Sequence, residues 1–152
     1  MSRIFVILGV FLTLNSFAQK LNRVEVTDFK KDGQELITYL EFTLNAIGDN
    51  ELSPKEKDII ISESYLKMFR DAKVQIEDDL DASRETVTNK DVQAYLKDVD
   101  FFFRYAHFTF NVLSIDLQSD EDGSPFLLTN ILRTLEAVDL KGDTIYNDQQ
   151  RF

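Results

Sequence analysis

One histidine, no cysteine and an excess of carboxylates leave this 152-residue chain a narrow range of chemistry. His107 alternates with Thr109 and Asn111, opposite Phe108 and Phe110, so on a strand it takes the more solvated face. With no second histidine and no partner nucleophile, it forms neither a metal pair nor a Ser-His-Asp set. Glu77-Asp78-Asp79-Leu80-Asp81 gathers the hard oxygen donors that calcium prefers, but without EF-hand spacing. Asp120-Glu121-Asp122-Gly123 fails the same pattern, because its Gly comes too early and no Glu closes the loop. Both runs read as solvated acidic loops. The densest aromatic cluster is Phe101-Phe102-Phe103 with Tyr105, Phe108 and Phe110. Such residues either fill the space between a helix and a sheet or line an apolar pocket. Phe102, Phe103, Tyr105, Phe108 and Phe110 are therefore the candidate ligand-pocket residues. The missing cysteines remove thiol catalysis, Cys-based zinc sites and iron–sulfur clusters. There is no Gly-rich phosphate cradle, G-x-S-x-G elbow or H-E-x-x-H motif, so no cofactor, metal ligand or catalytic residue is assigned.

The elements that must position these residues follow from hydrophobic period and capping chemistry. Residues 19–31 read as a polar lead-in, with Val24 and Val26 alternating as in a short strand or arm. Asp32, with Glu35 three residues on, predicts a helix cap. Leu36, Leu40, Leu44 and Ile47 then form one apolar helical stripe, which Gly48 ends as a left-handed cap. Ser53-Pro54-Lys55-Glu56 opens a second helix, expected to run to about Ala72. Val74 and Ile76 predict a short strand, with room for a return strand at 84–87. Thr88 is the expected cap of a third helix whose apolar face is Val92, Tyr95, Leu96, Val99, Phe102 and Phe103. From Tyr105 to Leu117 the period is two, and it changes phase at Val112-Leu113, the signature of a β-bulge. Residues 119–125 are a turn. Phe126–Leu140 fits a returning strand and a helix equally well, and Thr144–Phe152 begins another strand.

The first eighteen residues predict export. Arg3 precedes the apolar run Ile4–Leu14, and Ser16-Phe17-Ala18 sets small residues three and one before a cut that leaves Gln19 first. That is the plan of a secretory signal peptide. The run is too short to span a bilayer, which takes about 20 apolar residues. The expected destination is the periplasm or the medium, with no membrane span after cleavage. The cut leaves 16 basic against 27 acidic residues, a net charge near −11. Nucleic acid and anionic lipid are thereby disfavoured as partners, since both require basic surfaces. The chain is long enough for one domain with its own core, over 32–152. Lacking disulfides, an exported protein of this kind depends on that core alone.

The order helix, helix, short hairpin, helix, long bent strand, long strand resembles the nuclear transport factor 2-like (cystatin-like) α+β fold, in which helices pack into a curved antiparallel sheet. Glu63–Leu80, Thr88–Phe103 and Phe108–Leu117 carry the resemblance. It implies that Phe126–Leu140 is a strand, with tertiary pairing overriding the local helical period. The fold normally closes with further strands, whereas this chain ends as one begins, so either that strand is the edge or the chain is shortened. Asn15-Ser16-Phe17-Ala18-Gln19 is also similar to signal peptides common in Bacteroidota, where such modules often stand ahead of other domains. Some enzymes of this fold, such as ketosteroid isomerase, pair a pocket carboxylate with a Tyr donor. Asp98, Asp100, Tyr95 and Tyr105 supply those residue types but no matching spacing, so no role is carried over. The leading expectation is a non-catalytic extracytoplasmic interaction module that binds a protein partner or forms a homodimer. The alternative is a carrier of a small apolar ligand, or an isomerase-like enzyme, using the aromatic pocket. A buried carboxylate facing an apolar cavity would favour the alternative. A filled interior beside an exposed apolar sheet face would favour the module.

Overall fold

The computed structural model describes residues 22–81 and 85–151, with side chains through Thr144. The expected signal peptide lies outside the described residues. The chain is α+β: helices α1 (Arg23–Gly48), α2 (Pro54–Ser62) and α3 (Val92–Phe102) accompany two antiparallel sheets. Strands β1 (Gln75–Glu77) and β2 (Asn89–Asp91) form a small hairpin. Strands β3 (Phe103–Ser119), β4 (Pro125–Asp139) and β5 (Thr144–Arg151) form the main sheet in that order.

The first helix begins well before the expected cap at Asp32. Asn22 caps it by accepting from the Val24 and Glu25 amides, and Glu25 reaches back to the Asn22 amide. This capping box recruits residues 23–31 into the helix, so the lead-in is neither strand nor arm. Gly33 therefore sits inside a helix, where Gly normally costs stability. Close packing explains it, since a Cβ there would lie 2.6 Å from Leu127 Cδ1. Gly48 is not a left-handed cap either. It is the last helical residue, and a Cβ on it would lie 2.2 Å from the Ala106 carbonyl oxygen.

Gly48 belongs to a stripe, Glu41, Asn45 and Gly48, that covers the outer edge of β3. Asn45 accepts from the Phe108 amide and donates to the Phe108 carbonyl, at 2.7 and 2.9 Å. The Phe110 amide donates to Glu41. The helix thus supplies the groups that a neighbouring strand would offer to an open edge.

The second helix has the expected cap, with Ser53, Pro54 and Glu56 in a capping box. It stops at Ser62, not near Ala72, and continues as a single 3-10 turn over Ser64–Lys67. The Ser62 hydroxyl donates back to the Asp58 carbonyl, a bond that bends helices. The return strand of the hairpin lies at Asn89–Asp91, later than expected; Ala82, Ser83 and Arg84 lie outside the described residues. Asp91 accordingly replaces Thr88 as the residue before α3.

Val92, Tyr95, Leu96 and Val99 bury one face of α3 against Leu44, Ile47 and Ile61 of the other helices and Phe108, Leu135 and Ala137 of the sheet. Phe102 does not join them, being 48% exposed. The chain becomes extended at Phe103, which turns inward and leaves Phe102 outside. The bend in β3 falls where the phase change places it. Phe108, Phe110 and Val112 pair with Leu135, Arg133 and Ile131, and Ile115 and Leu117 take over the inner face after a register shift at Leu113. The 125–139 segment is a strand paired along its length with β3. Among the described residues no helix is long and apolar enough to cross a membrane.

Candidate functional site

The inner face of β4 carries a residue that no core pattern explains. Arg133 stands between Ile131 and Leu135 with 1% of its surface exposed. Burying a guanidinium costs several kcal/mol unless a carboxylate compensates it in good geometry. Asp79, from the loop after β1, brings a carboxylate against it: its Oδ2 lies 2.8 Å from Arg133 Nε, an ion pair by distance although that N–H is not aligned for a hydrogen bond, and its side chain is 5% exposed. The Tyr95 phenol, from α3, donates to the other Asp79 oxygen at 2.7 Å. Burial, reinforced by the adjacent Asp79 charge, pushes the Tyr95 phenol well above its usual range, so it remains a neutral donor.

The neighbouring Asp78 is also buried and is paired with Lys90 of β2 at 2.7 Å. Lys90 in turn donates to Asp98 of α3. Burial alone would lower the Lys90 pKa, but its hydrogen bonds to Asp78 and Asp98 outweigh that and raise it. The expectation that Asp78 and Asp79 belong to a solvated loop is therefore corrected. Lys90, across the same hairpin, and Arg133, on the main sheet, pair with these carboxylates in the interior.

Asp79, Tyr95 and Arg133 form one wall of a cavity of about 190 Å³. Leu44 and Tyr95 are buried, while Leu40, Ile76, Glu77, Phe110 and Ile131 are half-buried around it. The five aromatic residues selected from the sequence do not converge here. Phe110 lines the cavity. Phe103 and Phe108 are packed in the core. Phe102 and Tyr105 are 48% and 40% exposed, with Tyr105 stacked parallel to the exposed His107 ring. Their spacing identified apolar residues but not the side of the sheet's start on which each would fall. Arg133 was missed because it stands alone in an apolar segment. Its signal is an arginine at an inward position of the strand Phe126–Leu140.

The arrangement offers a small apolar chamber with one ion pair and one phenol fixed in its wall. No nucleophile, histidine or group of potential metal ligands accompanies it among the described residues. A second concavity, an apolar groove of about 550 Å³, lies between the first half of α1 and the start of β4. Phe29, Leu36, Ile37, Phe126 and Leu127 line it. No family model matches the chain, and neither does any curated protein or solved structure.

Proposed function

We propose that this chain is an extracytoplasmic ligand-binding module of the nuclear transport factor 2-like kind, holding a small apolar molecule in the chamber beside Asp79, Tyr95 and Arg133. The observation that carries the reading is a buried carboxylate facing a chamber lined by Leu40, Leu44, Ile76, Phe110 and Ile131. A ligand site characteristically combines an apolar lining with a few fixed polar groups. The long bent β3 beneath the helices supports the family resemblance, and the N-terminal sequence supports export. Asp79 is engaged by both Arg133 and Tyr95, which suits orienting a ligand better than taking a proton from one. No catalytic residue is proposed.

Calorimetric titration with compounds of benzene to benzyl alcohol size tests this. Saturable binding that disappears in Ile131→Phe, which fills the chamber, is the expected result. Binding that is unchanged in a folded Ile131→Phe protein would reject the site.

The groove along α1 favours a second reading, the protein-interaction module. Leu36 and Phe126 on its walls are 44% and 40% exposed, more apolar surface than a solvated face needs. Sedimentation velocity separates the two. A compact dimer that Leu36→Lys dissociates supports the module, and a monomer at all concentrations removes its homodimeric form.

A further inference from the structure

We infer that the chamber is the inner end of a longer site, and that its ligand is a single-chain amphiphile. The polar end lies in the chamber beside Asp79, Tyr95 and Arg133, and the hydrocarbon chain runs out along the groove beside α1. This rests on the ligand-binding reading and names the class of ligand. It requires a polar end and sets no sign for its charge.

Both cavities lie between the same two elements. On α1, Phe29, Gly33, Leu36 and Ile37 line the groove, and Leu40 and Leu44 line the chamber. These positions recur at helical spacing, so they form one stripe along one face of the helix. On β4, Leu127 and Thr129 line the groove, Arg133 lines the chamber, and Ile131 lines both. They alternate along the strand and so share its inner face. Ile131 is the one described residue common to the two linings, which puts it at their junction. From Phe29 to Leu44 the helix advances about 22 Å. From Leu127 to Arg133 the strand advances about 20 Å. The cavities therefore stand end to end in a single trough.

Its shape suits a hydrocarbon chain. The chamber, of about 190 Å³, admits a ring or a chain end but not a folded segment of protein. For comparison, an apolar cavity of about 150 Å³ accepts benzene. The groove, of about 550 Å³, is apolar apart from Asp32 and Thr129. Helix α1 rests chiefly on β3, where Glu41 and Asn45 hold the strand's amides, and it leaves the flank toward β4 open. Leu36 on that flank stays 44% exposed although it stands at core spacing. Interiors are normally close-packed, and a chain laid in the trough would supply the missing contacts. Polar side chains gather in the chamber at one end, which matches a molecule with one polar end and a long apolar body.

The experiment is calorimetric titration of the purified chain with benzyl alcohol and with butanol, hexanol, octanol and decanol. It is repeated on Thr129→Phe and Leu36→Trp, which fill the groove from its two walls, and on Ile131→Phe, each first shown by thermal melting to be folded. Either groove variant suffices if the other fails to fold. Affinity is expected to rise about two- to fourfold per methylene through decanol, as burial of each methylene requires. Filling the groove should leave benzyl alcohol binding unchanged and weaken decanol at least about tenfold. Ile131→Phe should abolish binding of every probe. Benzyl alcohol binding with an affinity series that stops rising at hexanol would confine the ligand to the chamber and overturn the inference alone. A rise through decanol that persists in a folded groove variant would place the chain elsewhere and overturn it too. If no probe binds, the ligand-binding reading fails and takes this inference with it.

Discussion

Replacing Asp79 by Asn tests whether the buried network is what it looks like. The Arg133 and Asp79 side chains are 2% and 5% exposed and lie 2.8 Å apart, so little solvent screens the pair. Asn keeps the shape and can still accept from Tyr95, but it removes the carboxylate charge that lies 2.8 Å from the guanidinium. Breaking a buried ion pair by removing one partner costs about 3–5 kcal/mol. Domains of this kind are stable by about 5–15 kcal/mol in total, so the variant should fold but only marginally. With a urea slope of about 2 kcal/mol per M, the unfolding midpoint falls by about 1.5–2.5 M. Removing both charges is a different perturbation. Asp79→Leu with Arg133→Met replaces the pair by apolar side chains, which is often neutral or stabilising by about 1–4 kcal/mol, less about 1–3 kcal/mol because the buried Tyr95 phenol loses its acceptor. The assay is equilibrium unfolding in urea, followed by circular dichroism, on Asp79→Asn, on Asp79→Leu and Arg133→Met singly, and on the double. A single-variant loss below about 1 kcal/mol, or a double-variant loss equal to the sum of the singles, would refute the reasoning.

The same core predicts a contrast between neighbouring aromatics: Phe108→Ala, at 0% exposure, should cost about 3–5 kcal/mol in urea unfolding, and half-exposed Phe102→Ala far less. Equal losses would mean that Phe102 is packed. Gly48→Ala should destabilise by about 1–3 kcal/mol in the same assay, because its new methyl group meets the Ala106 carbonyl at 2.2 Å, a rigid neighbour. Wild-type stability would show that α1 does not press on this edge. Stability should also fall as the solution is made alkaline. The Tyr95 and Lys90 pKa values are raised on folding, so their contribution is complete below the unfolded values of about 10 and is lost as pH climbs toward the folded ones. Tyr95→Phe should flatten part of that fall, and an identical pH profile would exclude Tyr95 as its source. Mass spectrometry of the exported protein should find Gln19 as the first residue; retention of Met1 would overturn export by a cleaved signal.

Local rules read some of this fold well. The Ser53 capping box, the buried face of α3 from Val92 to Val99, and the bulge at Leu113 all follow from residues within one turn or one strand of each other. The errors have a common form. At the start of α1, Val24 and Val26 fit a strand alternation, but the Asn22–Glu25 capping box nucleates a helix there instead. Local pattern alone leaves helix and strand balanced at 126–140; the long antiparallel pairing with β3 makes it the strand that the fold resemblance implies. Phe102 and Phe103 are adjacent in sequence, and only the change from helix to strand between them decides which is inside.

The site was the least legible part, for a physical reason. Asp79 stands in an acidic run whose composition says solvent, and Arg133 in an apolar run whose composition says core. Each assignment fails only because the two meet, and nothing local reports a meeting across so much intervening chain. Tyr95 looked like an ordinary member of an apolar helix face, although its phenol reaches the same carboxylate. Sequences tend to agree with their folds at every level except where function or strain imposes something else. Here an acid that should be wet, a base that should be hydrocarbon and a phenol that packing alone would not require line one wall of a single chamber. Packing would be served as well by leucine, methionine and phenylalanine at these three positions. That surplus of polarity is the physical ground for treating the chamber as a binding site.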